Sequence, residues 1–217
     1  MKVVGKTVDS TETSVTLDLF GERKLLKRVK ERIQDEVGNF LVEQTLINME
    51  KQTSPVAGAP NFAPLSKEYA KLKRRDVGNA RPNLEFDGEM KDQLNFKPAP
   101  MGIEVGYFGD RAPAADGHNN LSGKSHLPLR QTLPDEGQSY KRPIQAEVDR
   151  IVADIIAEET NFKASQFKGI ESSAELYRYL KDILGLQSRS EINLAVIRSD
   201  DLLDVLKEAG MYDLLKL

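Results

Sequence analysis

The sequence predicts an α+β protein: a small antiparallel sheet packed by long helices, with an all-helical C-terminal extension. Three observations predict it. Short stretches at 13–19, 94–97 and 103–107 alternate apolar and polar residues, as half-buried strands do. Two longer stretches, 25–47 and 144–156, repeat apolar residues every three or four positions, as amphipathic helices do. The remainder, 161–217, carries helical signals alone. The expected division is an α+β domain over 1–160 and a helical extension over 161–217.

The elements follow in order. Val15, Leu17 and Leu19 lie on one face of the first strand, with Thr16 and Asp18 on the other. After Gly21, Leu25, Leu26, Val29, Ile33, Val37, Phe40, Leu41 and Ile47 form a helical stripe opposite a charged face that includes Lys24, Lys27, Arg28 and Glu31. A helix this long needs a packing partner along its whole stripe. Pro55, Pro60 and Pro64 then impose a loop over 53–64. Residues 66–75 read as a short helix with Ser66 as its N-cap. Two strands follow, Leu94–Lys97 and Ile103–Tyr107, joined through Pro98–Gly102 by a connection slightly longer than the tightest hairpin type.

Residues 109–142 are rich in Gly, Pro, Asn and Ser and read as a long loop, of the kind that is functional or disordered in isolation. A second helical stripe, Ile144, Val148, Ile151, Val152, Ile155 and Ile156, begins beside Pro143, a residue suited to a first turn. Ser172 and Glu175 have the spacing of a capping box, opening a helix that Gly185 would close. Ser199 could cap a last helix ending at Gly210.

Composition excludes several chemistries. With no cysteine, disulfides, thiolate nucleophiles and cysteine-based zinc sites are out. Acidic residues outnumber basic ones, for a net charge of −3, where a protein built to grip nucleic acid is usually clearly basic. No apolar run reaches the ~20 residues of a membrane span, so no membrane partner is expected.

No enzymatic constellation emerges. His118 and His126, even with Asp110 or Asp116, match no standard zinc spacing, so neither a metal nor any other cofactor is expected. Ser122-Gly123-Lys124-Ser125 resembles the end of a phosphate-binding loop but lacks the upstream glycine, the leading strand and the following helix. The acidic pairs Glu158-Glu159 and Asp200-Asp201 point to different helix faces. Lys71, Lys73, Arg74 and Arg75 form the best candidate for facing DNA, although cations at a helix end also simply complement its dipole.

The order of motifs in the middle segment resembles a known family. Phe62-Ala-Pro64-Leu65-Ser66-x-x-Tyr69-x-x-x-Lys73 is followed by Leu84-x-Phe86-Asp87-Gly88-x-Met90-x-x-x-Leu94, and then by Val105-Gly106-Tyr107. Ala112 through Asn119 stands where family members carry a helix containing a histidine. Leu127-Pro128-Leu129-Arg130-Gln131-Thr132-Leu133 matches their proline-x-arginine-x-phenylalanine-leucine element. The segment, roughly residues 53–156, is similar to the phage virion-morphogenesis or tail-completion family, the group that resembles the G protein of phage Mu. Asp87-Gly88 departs from that family's hydroxyl–glycine pair, and Asn119-Asn120 from its aromatic–glycine pair.

The resemblance implies a virion protein of the neck, assembled in the host cytoplasm, that is non-enzymatic and forms a ring, in the family a hexamer. Its implied partners are copies of itself, the capsid connector, other neck proteins and the tail tube, with double-stranded DNA passing without sequence specificity. Pro128, Leu129, Arg130, His118 and Asn119 are the implied oligomer-interface loop, with Arg130 pairing a carboxylate and loops 53–64 and 109–142 ordering on assembly. Two other readings compete: a nucleic-acid-binding accessory protein using basic faces at 23–32 and 71–75, and a tail-assembly chaperone absent from the finished particle. An enzyme ranks behind both.

Overall fold

The computed structural model describes all of the chain except residues 22–24, 26, 85–88, 161–163, 185–187, 198–199 and 216–217. Leu26 of the first stripe, Phe86-Asp87-Gly88 of the middle motif, the helix stop at Gly185 and the cap at Ser199 therefore lie outside the described residues. The chain divides into two compact units, one of Met1–Gly21 with Gln34–Ile151 and one of Glu22–Ile33 with Val152–Leu217. The fold class is α+β with a helical extension.

The first unit is built on an antiparallel sheet of β1 (Lys2–Val8), β2 (Glu12–Asp18), β3 (Leu94–Ala99) and β4 (Gly102–Phe108), in the order β1-β2-β4-β3. The alternation seen in the sequence sets the register: Val15 pairs with Val105 and Leu17 with Ile103, and all four are essentially inaccessible. Pro98 lies in β3, an edge strand where its missing N–H interrupts no ladder. The β3–β4 connection is tighter than expected, since Ala99 already pairs with Gly102 and leaves only Pro100 and Met101 between them.

On β4, Gly102 and Gly106 occupy the face opposite Ile103, Val105 and Tyr107. A Cβ at Gly102 would come within 2.2 Å of the Leu17 carbonyl oxygen, and one at Gly106 within 2.3 Å of that of Thr13.

The strand β1 is absent from the sequence reading. It is an edge strand with a register shift between Val3 and Gly5, and Val3 is its one buried residue, so no alternation marks it.

Helix α1 (Lys27–Glu50) contributes its residues from Gln34 onward to this unit, where Val37, Leu41 and Met49 are fully buried. Gln34 Nε2 donates to the carbonyl oxygens of Ala99 (2.9 Å) and Gly102 (2.6 Å), tying the helix to the β3–β4 turn. Gly38 lets the helix approach β3: an added Cβ would meet the Phe96 ring at 2.3 Å. Helix α2 (Lys67–Val77) starts where expected, with Tyr69 N donating to the Ser66 side chain, and stops at Gly78 in the left-handed region. A short helix, α3 (Glu89–Asp92), precedes β3.

The stretch 109–142 is not an open loop. It contains helix α4 (Ala112–Asn119), and Leu121, Leu133 and Tyr140 are buried. Val56 bridges Tyr140, Ala57 N donates to Ser139 O, and Lys141 N donates to Pro55 O, so loop 53–64 is also held by its own chain. The apolar content of this stretch is sparse but well placed, and composition alone did not reveal it. Helix α5 (Arg142–Thr160) begins with Pro143 in its first turn, as expected.

The second unit contains α6 (Ser173–Leu184), α7 (Arg189–Ile197) and α8 (Asp200–Glu208). Its core includes Phe167, Leu176, Leu180, Leu184, Ile192, Val196, Leu202 and Leu206. The capping box forms: Glu175 N donates to Ser172 Oγ (3.3 Å), and Ser172 N donates to the Glu175 carboxylate (3.2 Å). The Glu171 N–H also donates to the Glu175 carboxylate (3.1 Å), and it, more than the bonds from Ser172, holds that carboxyl below its ordinary range. Helix α7 has no counterpart in the sequence reading, because Ile192 and Val196 are its only fully buried positions among the described ones.

Candidate functional site

The motifs that carry the resemblance are spread over residues 62–133, about a third of the chain, yet four of the five meet around one cavity in the first unit. Its volume is about 300 Å³. Leu65, Pro82, Leu84 and Met90 supply apolar walls, and Tyr69, Lys73, Arg111, His118 and Arg130 supply polar groups.

Arg130 is one of two buried cations on this cavity, at 6% exposed. Its Nε donates to the Ala63 carbonyl oxygen (3.2 Å), and its Nη1 lies 3.4 Å from His118 Nδ1. Its backbone N donates to His118 O (3.0 Å). Among the described residues no carboxylate pairs with it; a backbone carbonyl and an imidazole are its side-chain partners there. Burial disfavours the charged guanidinium and lowers its pKa, without changing the fact that arginine remains protonated.

His118 Nδ1 is also 3.4 Å from the Pro128 carbonyl oxygen, so it can serve only one neighbour at a time. Burial, reinforced by the Arg130 charge, pushes the imidazole below its ordinary pKa and keeps it neutral near pH 7.

Lys73 departs from the expected DNA-facing run. It is 2% exposed, and its Nζ donates to Arg81 O (2.5 Å) and Asn83 Oδ1 (2.7 Å). At this point the helix stripe overrides the charge pattern, because Lys73 lies four residues after Tyr69 on the face that lines the cavity. Lys71, Arg74 and Arg75 are exposed, and Arg75 forms an ion pair with Asp76. Arg111, which the sequence reading missed, enters from just before α4 and pairs with Glu89 through Nε (2.6 Å). Both sit in irregular stretches or short elements, where no periodicity points to them.

Asn119 is buried and holds the segment behind Arg130. Its Oδ1 accepts from Thr132 N (2.7 Å), Leu133 N (2.8 Å) and Thr132 Oγ1 (3.1 Å), while its Nδ2 donates to Ala115 O (2.9 Å). Since the Thr132 hydroxyl donates to Asn119, the Tyr107 hydroxyl donates to Thr132 Oγ1 at 2.9 Å. Burial raises the Tyr107 hydroxyl well above its ordinary pKa. Asn119 and Arg130 are thus internal fasteners, whereas Pro128 and Leu127 are exposed, Leu127 at 52%. Leu129 is half-buried.

The remaining candidates stay apart. Among the described residues, no three His, Asp or Glu side chains are grouped to hold a metal. Asp116 Oδ1 accepts from Ser122 N, and Asn120 Oδ1 accepts from Ser125 N. The Ser122–Ser125 turn therefore spends its Ser122 and Ser125 N–H groups on the side chains of Asp116 and Asn120 rather than on a phosphate cradle. No helix among the described residues is long and apolar enough to cross a membrane. Compared with known proteins, the chain matches no family model, no curated protein and no solved structure.

Proposed function

We propose that this chain is a structural subunit of the phage head–tail junction, a neck or tail-completion ring component that joins the capsid connector to the tail and lets DNA pass. One observation carries the reading. Four of the five motif stretches that resemble the family, 62–73, 84–94, 112–119 and 127–133, contribute side chains to one cavity and the network behind it, and the fifth, 105–107, joins that network through Tyr107. A chance likeness of scattered short motifs gives no reason for them to converge in space.

The exposed edge of this assembly, Leu127 and Pro128, is the part available to a neighbouring subunit, while Arg130, His118 and Asn119 shape it from within. The competing nucleic-acid reading loses two of its four cations at 71–75, Lys73 to burial and Arg75 to Asp76.

Deletion of the gene from the phage that carries it, followed by negative-stain imaging of the lysate, tests the proposal. Filled heads and tails left unjoined are expected, together with the protein in the mass spectrum of purified wild-type virions. Normally joined particles in the deletion lysate would overturn the reading; loss of joining with no protein in the virion would point to the assembly chaperone instead.

A further inference from the structure

The cavity bounded by α2, α3 and α4 contains an imbalance of charge. Arg130 is 6% exposed and spends its Nε and Nη1 on neutral groups, Ala63 O and His118. Arg111, on the same cavity, is already neutralised by Glu89. Burying a cation away from water is unfavourable unless an anion or strong acceptors compensate it, and a 3.4 Å approach to an imidazole is a weak acceptor. Among the described residues no carboxylate faces Arg130, so its compensation is incomplete among them.

We propose that this cavity is a receptor for a carboxylate side chain carried on an apolar segment of another protein chain. The shape of the site favours that chemistry. Leu65, Leu84 and Met90 offer walls for a hydrocarbon stem, and Arg130 sits below them as the charge-assisted donor. About 300 Å³ is at the small end of ligand sites, suited to one or two side chains. A phosphodiester would have to shed its hydration against those apolar walls, and the net charge of −3 does not draw a nucleic acid to the surface. The inference goes beyond the head–tail reading and does not depend on it.

The 217-residue chain, with its arginine and histidine side chains labelled for NMR, is titrated with three probes: acetyl-Leu-Glu-Leu-amide, its glutamine counterpart, and a short DNA duplex. The glutamyl peptide should shift the Arg130 Nε–Hε and His118 ring signals saturably, in roughly the millimolar range expected of so small a ligand. The glutamine peptide should bind at least about tenfold more weakly, a difference of ~1.4 kcal/mol. Arg130→Gln should abolish the response and Arg130→Lys should retain part of it, with circular dichroism verifying that each variant is folded.

Three results would overturn the proposal: no saturable shift with the glutamyl peptide, equal binding of both peptides, or a response to duplex alone. A fourth is binding that appears only in a Glu85→Gln, Asp87→Asn variant, which would make the carboxylate the chain's own.

Discussion

Replacing Asn119 by alanine removes a single acceptor on which three donors converge. The Thr132 hydroxyl can rotate toward the Tyr107 oxygen, but the backbone N–H groups of Thr132 and Leu133 cannot move without dismantling the segment. An orphaned buried donor costs about 1–3 kcal/mol, so two of them amount to roughly 4 kcal/mol. With a urea slope of ~2 kcal/mol per molar, the midpoint of unfolding should fall by about 2 M. Thr132→Val, which leaves both N–H bonds in place and takes away only the acceptor of the buried Tyr107 hydroxyl, should cost about 2 kcal/mol, half as much, and serves as the control. Urea titrations followed by tyrosine fluorescence read both variants. A cost below about 1 kcal/mol for Asn119→Ala would refute the claim that this side chain fastens 130–133 to α4.

Gly38→Ala should destabilise the first unit by roughly 1–3 kcal/mol despite a helix-propensity gain of about 1 kcal/mol, because the new methyl meets the Phe96 ring. In a Phe96→Ala background the same change should be neutral or stabilising, and a double-mutant cycle by urea unfolding reads the reversal. Leu127→Asp should leave the unfolding midpoint within about 0.5 kcal/mol of wild type, as an exposed position does, while lowering the oligomer fraction in analytical ultracentrifugation. An unchanged oligomer distribution would remove Leu127 from any subunit contact. His118 should titrate below 6.5 in the folded chain, with Arg130, Arg111 and Lys73 the cationic groups lining the same cavity. The unfolded chain then binds more protons as the pH falls below about 6.5, so the stability from neutral His118 is present above that value and lost through the lower folded pKa. An imidazole midpoint above 6.5 by NMR would contradict the burial argument.

Periodicity made the interior of the fold legible. The pairs Val15–Val105 and Leu17–Ile103 follow from alternation, and Val37, Leu41, Val148 and Val152 from helical spacing, because these elements bury one face against something extended. The Ser66 and Ser172 caps were equally legible, since their bonds are local and the residues that make them lie within four positions of one another. Pairing at an edge and docking through a few contacts leave weaker traces. The strand β1 buries only Val3, helix α4 is held by Ala112, Ala115 and Asn119, and neither produces a long pattern.

The candidate site was read in pieces. His118, Asn119 and Arg130 stood out through the resemblance, but their inward orientation depends on Ala63, 67 residues from Arg130 along the chain. Lys73 shows the same limit from the other side. A lysine in a basic run reads as surface, and the carbonyl of Arg81 and the side-chain oxygen of Asn83, brought back by the turn after Gly78, help make burial tolerable. Pairings of that kind are set by tertiary closure, which a one-dimensional pattern does not encode.

The two glycines on the outer face of β4 invert the usual map of mutational tolerance. Core positions such as Val105 would accept another aliphatic side chain of similar volume at modest cost. Gly102 and Gly106 would refuse even a methyl group, because what stands in its way is the backbone of β2, which cannot rotate aside as a side chain can. A saturation library selected for folded protein should therefore be depleted most strongly at two positions outside the apolar interior, making the strand's least replaceable residues those that contribute no side chain at all.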